Sequence, residues 1–259
     1  MVALRDLDPA SDRPKYRRIA DALREAIDAG ELGPGDKLPS EAELMARYKT
    51  AGGTVRHAID VLRGEGIVVA EHGRGVFVRS RPRTRRLSYD RFARRHRQAG
   101  KAAYLAEAEQ TKVTPRVEVL FVGREPAPPE PASQLGLDRG ADVLVRRRRY
   151  LSDDQPTELA TSYVPWHLAE GTAMVDENPG PGGIYARIEE LGHRLAHFTE
   201  EVTARMPTPE EASALGLPPA TPVLHLVRTA FDGQGMAVEV CDTVMSADEW
   251  VLSYRLPAD

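Results

Sequence analysis

At 259 residues the chain is long enough for two domains with a core each, and its 41% hydrophobic and 29% charged residues exclude a fibrous or wholly disordered protein. No apolar run approaches the roughly 20 residues of a bilayer-spanning helix, the opening MVALRDLDPASDRP has acids where a secretory leader is basic and then apolar, and the lone Cys241 allows neither an intrachain disulfide nor a cysteine-built zinc site, so a reducing cytoplasm is expected. The net charge of −4 conceals a split, with 21 Lys+Arg against 14 Asp+Glu in residues 1–100 and 14 against 25 in the remainder, so one half suits a polyanion that the other avoids.

From Pro14 to Ala29, Tyr16, Ile19, Leu23 and Ile27 recur at three- and four-residue spacing, which predicts a helix with one buried face, Pro14 in its first turn and Gly30 at its end. A Gly/Pro-rich turn, GELGPGDKLPS, leads to Ser40-Glu41-Ala42-Glu43, a capping box for a second helix running to about Tyr48. A third helix places Val55, Ala58, Ile59 and Leu62 on its inner face and ends at Gly64 and Gly66. Two short strands, 67–70 and 76–78, then flank Glu71-His72-Gly73-Arg74-Gly75, a hairpin tipped with glycine and cation. Three helices and a basic hairpin make a winged helix-turn-helix, in which the third helix enters the major groove and the wing reaches the neighbouring backbone.

The string Pro34-Gly35-Asp36-Lys37-Leu38-Pro39-Ser40-Glu41, Thr54-Val55-Arg56-His57-Ala58, Glu65-Gly66-Ile67 and Gly73-Arg74-Gly75-Val76-Phe77-Val78 resembles the GntR family of bacterial regulators. The resemblance implies a double-stranded DNA operator as partner. Ser40 and Glu41 open the positioning helix, and Arg47, Lys49, Thr50, Thr54, Arg56 and His57 fall where the family meets phosphates and bases, with His72, Gly73, Arg74 and Gly75 at the wing. The sequence departs from the family where relatives read Val-Ser-Arg, because here Thr50-Ala51-Gly52 stand. Losing that capping serine costs about 1 kcal/mol unless Thr50 or Gly53 shifts the cap. An altered base preference is expected, with Lys49 or His57 compensating.

Between Arg79 and Arg97 lie nine arginines and one acid, Asp90, so this stretch is expected to stay out of any core. It is either a linker laid along phosphates or a solvated tether whose charges keep it extended. Tyr89, Phe92 and residues 100–109 could form a short helix against the second domain, and Ser88 sits where relatives place an effector-facing loop.

Beyond it the chain repeats itself at an offset of 80 residues: Ser133-Gln134-Leu135-Gly136-Leu137 matches Ser213-Ala214-Leu215-Gly216-Leu217, Val143-Leu144 matches Val223-Leu224, and Arg148 matches Arg228. Each copy reads as a helix, a Leu-Gly turn, a strand, a polar turn and a second strand (157–164 and 237–245), which predicts a pseudo-symmetric antiparallel sheet with helices on one face. Along the first strand Arg146, Arg148 and Tyr150 share one side and Arg147 and Arg149 the other. An arginine aimed into a cleft offers a fixed fork to a carboxylate or phosphate, although an arginine run can equally be a solvated face.

From about Val117 onward, with Thr161-Ser162-Tyr163-Val164-Pro165 and Val238-Glu239-Val240 followed by Asp248 and Trp250, the chain resembles the UTRA effector domain of the HutC branch, with its chorismate lyase-like fold. That resemblance implies a homodimer that binds a small, often anionic metabolite, with Ser88, Arg148, Tyr150, Ser162, Tyr163, Arg228, Glu239 and Trp250 as candidate contacts. Relatives often carry arginine and glutamate where this chain has Tyr150 and Ala160, which favours a flatter or less polar ligand than a sugar phosphate.

The expected architecture is therefore α+β in two domains, a winged helix-turn-helix over 13–79 and a UTRA-like domain over 111–259, joined by an arginine-rich linker over 80–110. The expected function is sequence-specific transcriptional regulation, with repression relieved by an effector. No cofactor, metal site, catalytic residue or membrane partner is expected. His193 and His197 are four apart but lack a third ligand. Two alternatives stand beside this reading: lyase-like turnover in the second domain, and a ligand-independent plasmid-maintenance protein, since the RRLSYDRFARRHRQAG stretch is similar to that of actinobacterial and plasmid-transfer members of the family.

Overall fold

The computed structural model describes residues 4–8, 11–71, 73–79, 84–87, 91–100, 104, 114–256 and 258. The chain divides into two compact units, one built on Met1–Arg81 and the other on Pro82–Gly216 and Pro222–Asp259.

In the first unit α1 (Lys15–Asp28), α2 (Glu41–Tyr48) and α3 (Gly52–Gly64) precede a hairpin of β1 (Val68–Glu71) and β2 (Gly75–Val78). The helical spacing read in the sequence buries Ile19, Leu23, Leu44, Val55, Ala58 and Leu62 in one core. Ser40 caps α2 as expected: its hydroxyl accepts from the Glu43 N–H at 3.3 Å, and its own N–H donates to the Glu43 carboxylate at 2.7 Å. The Gly/Pro turn also does more than turn. Lys37 bridges to Phe77, and Leu38 N–H and Val78 N–H bond the carbonyls of Val76 and Asp36 at 2.8 Å each, so this stretch lies along β2 as an extra edge. The amino-terminal segment joins the same core well before residue 13, because Leu4 is only 3% exposed and Tyr48 donates its hydroxyl to the Arg5 carbonyl at 3.3 Å.

The second unit centres on a six-stranded antiparallel sheet. It begins with β3 (Thr84–Leu87) and α4 (Arg94–Gln98), followed by β4 (Pro115–Pro126), α5 (Pro129–Gln134), β5 (Asp142–Ser152), β6 (Gln155–Pro165), α6 (Trp166–Ala169) and α7 (Gly183–Glu190). Then come β7 (Leu195–Arg205), α8 (Pro209–Leu215), β8 (Val223–Asp232), β9 (Ala237–Ser246) and β10 (Trp250–Ser253). The sheet order is β4-β5-β6-β9-β8-β7, so two meanders meet at their inner strands, β6 and β9. The repeat includes an outer strand, β4 or β7, that the sequence comparison had not separated.

The offset is 80 for the outer two strands and the helix but 81 for the inner strand. Arg148 pairs with Ala160, whereas Arg228 pairs with Cys241 rather than Val240. The turn before β9 carries one more residue than that before β6. Side chains alternate faces along a strand, so Glu158, Ala160 and Ser162 correspond to Glu239, Cys241 and Thr243. Thr161 pairs with Asp242 at the local two-fold.

Helices cover both faces rather than one. Ala132 and Leu135 of α5 pack with Val143, Val145 and Val240 on one side, while Ile184, Tyr185 and Ile188 of α7 pack with Leu144 and Ala230 on the other. Strand β3 pairs in parallel with β10, so part of the arginine-rich stretch docks on this unit. Arg86 there is fully buried, against expectation. An ion pair with Glu158 and the face of the Trp250 ring, 4.6 Å away, offset its desolvation. No helix among the described residues is long and apolar enough to cross a membrane.

Candidate functional site

In the first unit the buried face of α3 turns its other side to solvent, and that side carries Arg56 and His57. The Arg56 side chain is 63% exposed and donates to Glu41 at 3.2 Å. His57 stacks on Tyr16 with ring centroids 3.8 Å apart and planes 5° from parallel, which fixes its ring, while Thr54 is half-buried. The missing serine has its predicted consequence without a shift of cap: Ala51 is the N-cap and supplies no side-chain acceptor. At the wing Gly73 and Gly75 take positive φ of 71° and 126°, and Arg74 lies over Phe77 at 5.4 Å and pairs with Glu71. Lys49 closes α2 in the left-handed region at φ 46°, its carbonyl accepting from the Lys15 ammonium at 3.0 Å, and Thr50 is half-buried beside it.

Arg47 differs from its expected role. Its guanidinium bonds the Leu4 carbonyl and lies 3.3 Å from Asp6, so it anchors the amino-terminal segment. His72 and Ser88 lie outside the described residues.

In the second unit a cavity of about 340 Å³ opens on the α7 face of the sheet, toward the small end of ligand sites, which run from roughly 300 to 1,000 Å³. Its floor is two cross-strand rows: Arg146, Ser162, Cys241 and Arg228 in one, and Arg148, Ala160 and Thr243 in the next. Phe92, Tyr104, Tyr150 and Tyr185 supply aromatic walls, and residues 177–183 form a rim. Arg147 and Arg149 take the opposite face and pair with Glu125 at 2.6 Å and Glu118 at 2.5 Å on β4.

Three arginines on this floor have different fates. Arg146 is 2% exposed and donates to the rim carbonyls of Met174, Asp176 and Glu177. Burial, with Arg148 beside it, pushes its pKa down to about 10, which leaves it cationic near neutrality. Arg228 donates through Nε to the Tyr185 hydroxyl at 3.1 Å, lies 3.8 Å from Glu239 and is roofed by Phe92 at 4.4 Å. Burial raises the Tyr185 phenol well above its usual range, so it stays protonated and donates to Glu239 at 2.7 Å. Arg148 bonds the Ser162 hydroxyl and lies 5.8 Å from the Tyr150 ring centroid; its Nε is buried without a partner, and no carboxylate pairs with it among the described residues.

Comparison with known proteins agrees with both halves. Residues 15–78 match the model of bacterial regulatory proteins of the gntR family, and residues 110–250 match the UTRA domain. An uncharacterised HTH-type transcriptional regulator of Streptomyces coelicolor is 34% identical over 95% of this chain and 93% of its own length. The chain belongs to the GntR family.

It is a DNA-binding transcriptional regulator with an effector-binding UTRA domain. The HTH-type transcriptional repressor NagR of Bacillus subtilis is 27% identical over 97% of this chain and 98% of its own. The crystal structure of PhnF from Mycobacterium smegmatis shares the fold, with a TM-score of 0.58 at 24% identity over 93% of this GntR regulator and all of that chain.

Of the candidate effector contacts, Arg148, Tyr150, Ser162, Arg228 and Glu239 line the regulator's cavity. Tyr163 and Trp250 do not. Tyr163 alternates to the opposite face, where it packs with the α5 cluster. Trp250 is 3% exposed beneath Arg86 and donates its indole N–H to the Thr157 carbonyl at 3.1 Å. Sequence reading missed Tyr185, Cys241 and the 177–183 rim. An 81-residue offset on the inner strand would have matched Cys241 to Ala160 in the repeat, but nothing local marks the rim as belonging to the cavity.

Proposed function

We propose that this regulator is a repressor that acts in the cytoplasm as a homodimer, and that an anionic effector in the sheet-face cavity lowers its operator affinity. The observation that carries the effector half is Arg148, a guanidinium on the cavity floor with a buried, unpartnered Nε and no ion-paired acid among the described residues. Such a fork binds a carboxylate or phosphate with two parallel bonds. Ser162 beside it and the aromatic walls suit a ligand with a flat or partly apolar body.

On the DNA side, Arg56, His57 and Thr54 of α3 meet the bases and phosphates of the major groove, and Arg74 with its flanking glycines meets the adjacent backbone. Ser40, Glu41, Lys49 and Thr50 line the approach. Two heads held about 34–36 Å apart would reach successive major grooves. The effector releases the operator only by preferring one arrangement of the heads, and a coupling of about 1–3 kcal/mol changes occupancy 5–150-fold.

Operator retention by the full chain tests both halves. Arg56→Ala and Arg74→Ala are expected to lose specific retention while keeping the wild-type oligomeric state, and Arg148→Met is expected to keep retention but lose its release by the effector. Specific binding by both head variants refutes the grip. Release that persists in Arg148→Met refutes the cavity assignment. The regulator relatives support sensing over turnover, and pyruvate release from chorismate by the full chain would overturn that choice.

A further inference from the structure

We propose that Lys37 is a phosphate contact beside the wing, its stem lying against Gly75, a proposal that rests on the DNA-facing reading of α3 and the hairpin. The stretch around Lys37 runs along β2 with alternating faces, so Leu38 is 3% exposed in the core while Lys37 points to solvent. The lysine stem crosses the wing over Gly75. A Cβ on that residue would lie 2.6 Å from Lys37 Cε and 3.3 Å from Nζ, so a side chain there would push the lysine stem off its present path. Gly75 follows Arg74, which puts the ammonium beside the wing tip.

On its other side Lys37 neighbours the start of α2. The Glu43 carboxyl is held below its usual range first by hydrogen bonds from Ser40, and Lys37 adds to the effect. Glu43 is bonded to Ser40, and the next residue, Glu41, takes the Arg56 guanidinium. Lys37 therefore touches the wing at Gly75, and its charge is felt at the Ser40 cap, whose next residue holds Arg56.

Lys37 differs from these two arginines in one respect that matters for binding. Arg56 and Arg74 each hold a carboxylate, Glu41 and Glu71, that must release before the guanidinium meets DNA. No carboxylate lies within ion-pair distance of Lys37 among the described residues. A compact ammonium on a flexible stem is suited to a phosphate oxygen and carries no base preference of its own. Lys37 thus supplies sequence-independent attraction beside the wing contact of Arg74.

The test measures binding of full-length protein to a duplex that the wild type itself selects from a random pool, across a salt series. Lys37→Met and Lys37→Gln are each expected to lower the magnitude of the log affinity against log salt slope by about 0.9. Both variants are expected to weaken binding several-fold at low salt and to select the same base sequence. Lys37→Arg is expected to restore the slope. An unchanged slope in either folded neutral variant overturns the proposal, as does a changed base preference, which would make Lys37 a base reader.

Discussion

Replacing Glu239 by glutamine tests the electrostatic reading of the cavity floor. Glu239 is 1% exposed and Arg228 5%, with Tyr185 bonded to both. Glutamine keeps an acceptor for the Tyr185 hydroxyl but removes the negative charge, leaving the Arg228 cation buried with the Tyr185 hydroxyl, the Phe92 face and the charge of Glu200 to compensate it. Removing one partner of a buried pair costs roughly 3–5 kcal/mol, and a desolvated cation–π contact offsets up to about 2, so a loss of about 1–3 kcal/mol is expected. Arg228→Met in the same chain removes the stranded charge and is expected to recover most of it. Both tryptophans, Trp166 and Trp250, lie in the second unit, so their fluorescence in a urea titration reports that unit alone and avoids treating the whole chain as two-state. A single variant within 1 kcal/mol of wild type, on the scale of an ordinary hydrogen bond, or a double variant that loses the sum of both singles, would refute the argument.

Ala51→Ser supplies the missing acceptor at the start of α3 and is expected to stabilise the first unit by about 1 kcal/mol, read from its helical circular dichroism transition. Leu4→Ala empties a buried site and is expected to destabilise that unit by roughly 2 kcal/mol or more in the same measurement; no change would return the segment to an unattached tail. Asp232 is held below its usual pKa first by His193, 2.9 Å away, and then by the N–H groups of Met236 and Gln234. A depressed carboxylate stabilises fully above its unfolded pKa of about 3.9 and loses that contribution as pH falls through the folded value. Asp232→Asn is therefore expected to flatten the decline of the urea midpoint below about pH 4, and an unchanged acid limb would refute the pairing.

Local pattern made the first unit readable almost residue by residue. Helical spacing, the Ser40 box and the wing glycines all act within a few positions. The anchoring of the amino-terminal segment by Arg47 could not be read because its partners, Leu4 and Asp6, are some forty positions away and carry no periodic signal. The repeat in the second half revealed the sheet and the shared face of Arg148 and Arg228, since alternation along a strand follows from the backbone. It stopped at the inner strand, where one extra turn residue shifts the offset and hides the correspondence of Glu158 with Glu239. Burial of Arg86 was invisible for a different reason: composition counts charges, whereas the buried ion pair depends on a glutamate 72 positions onward.

Those two matched glutamates have taken up separate employment. One member of the repeat grips the incoming strand through Arg86; its twin grips the cavity's aromatic cap through Arg228 and Tyr185. Both glutamates line the cavity, so a small molecule lying across the local two-fold would press on both grips at once, in a single chamber whose opposite walls answer to different parts of the chain.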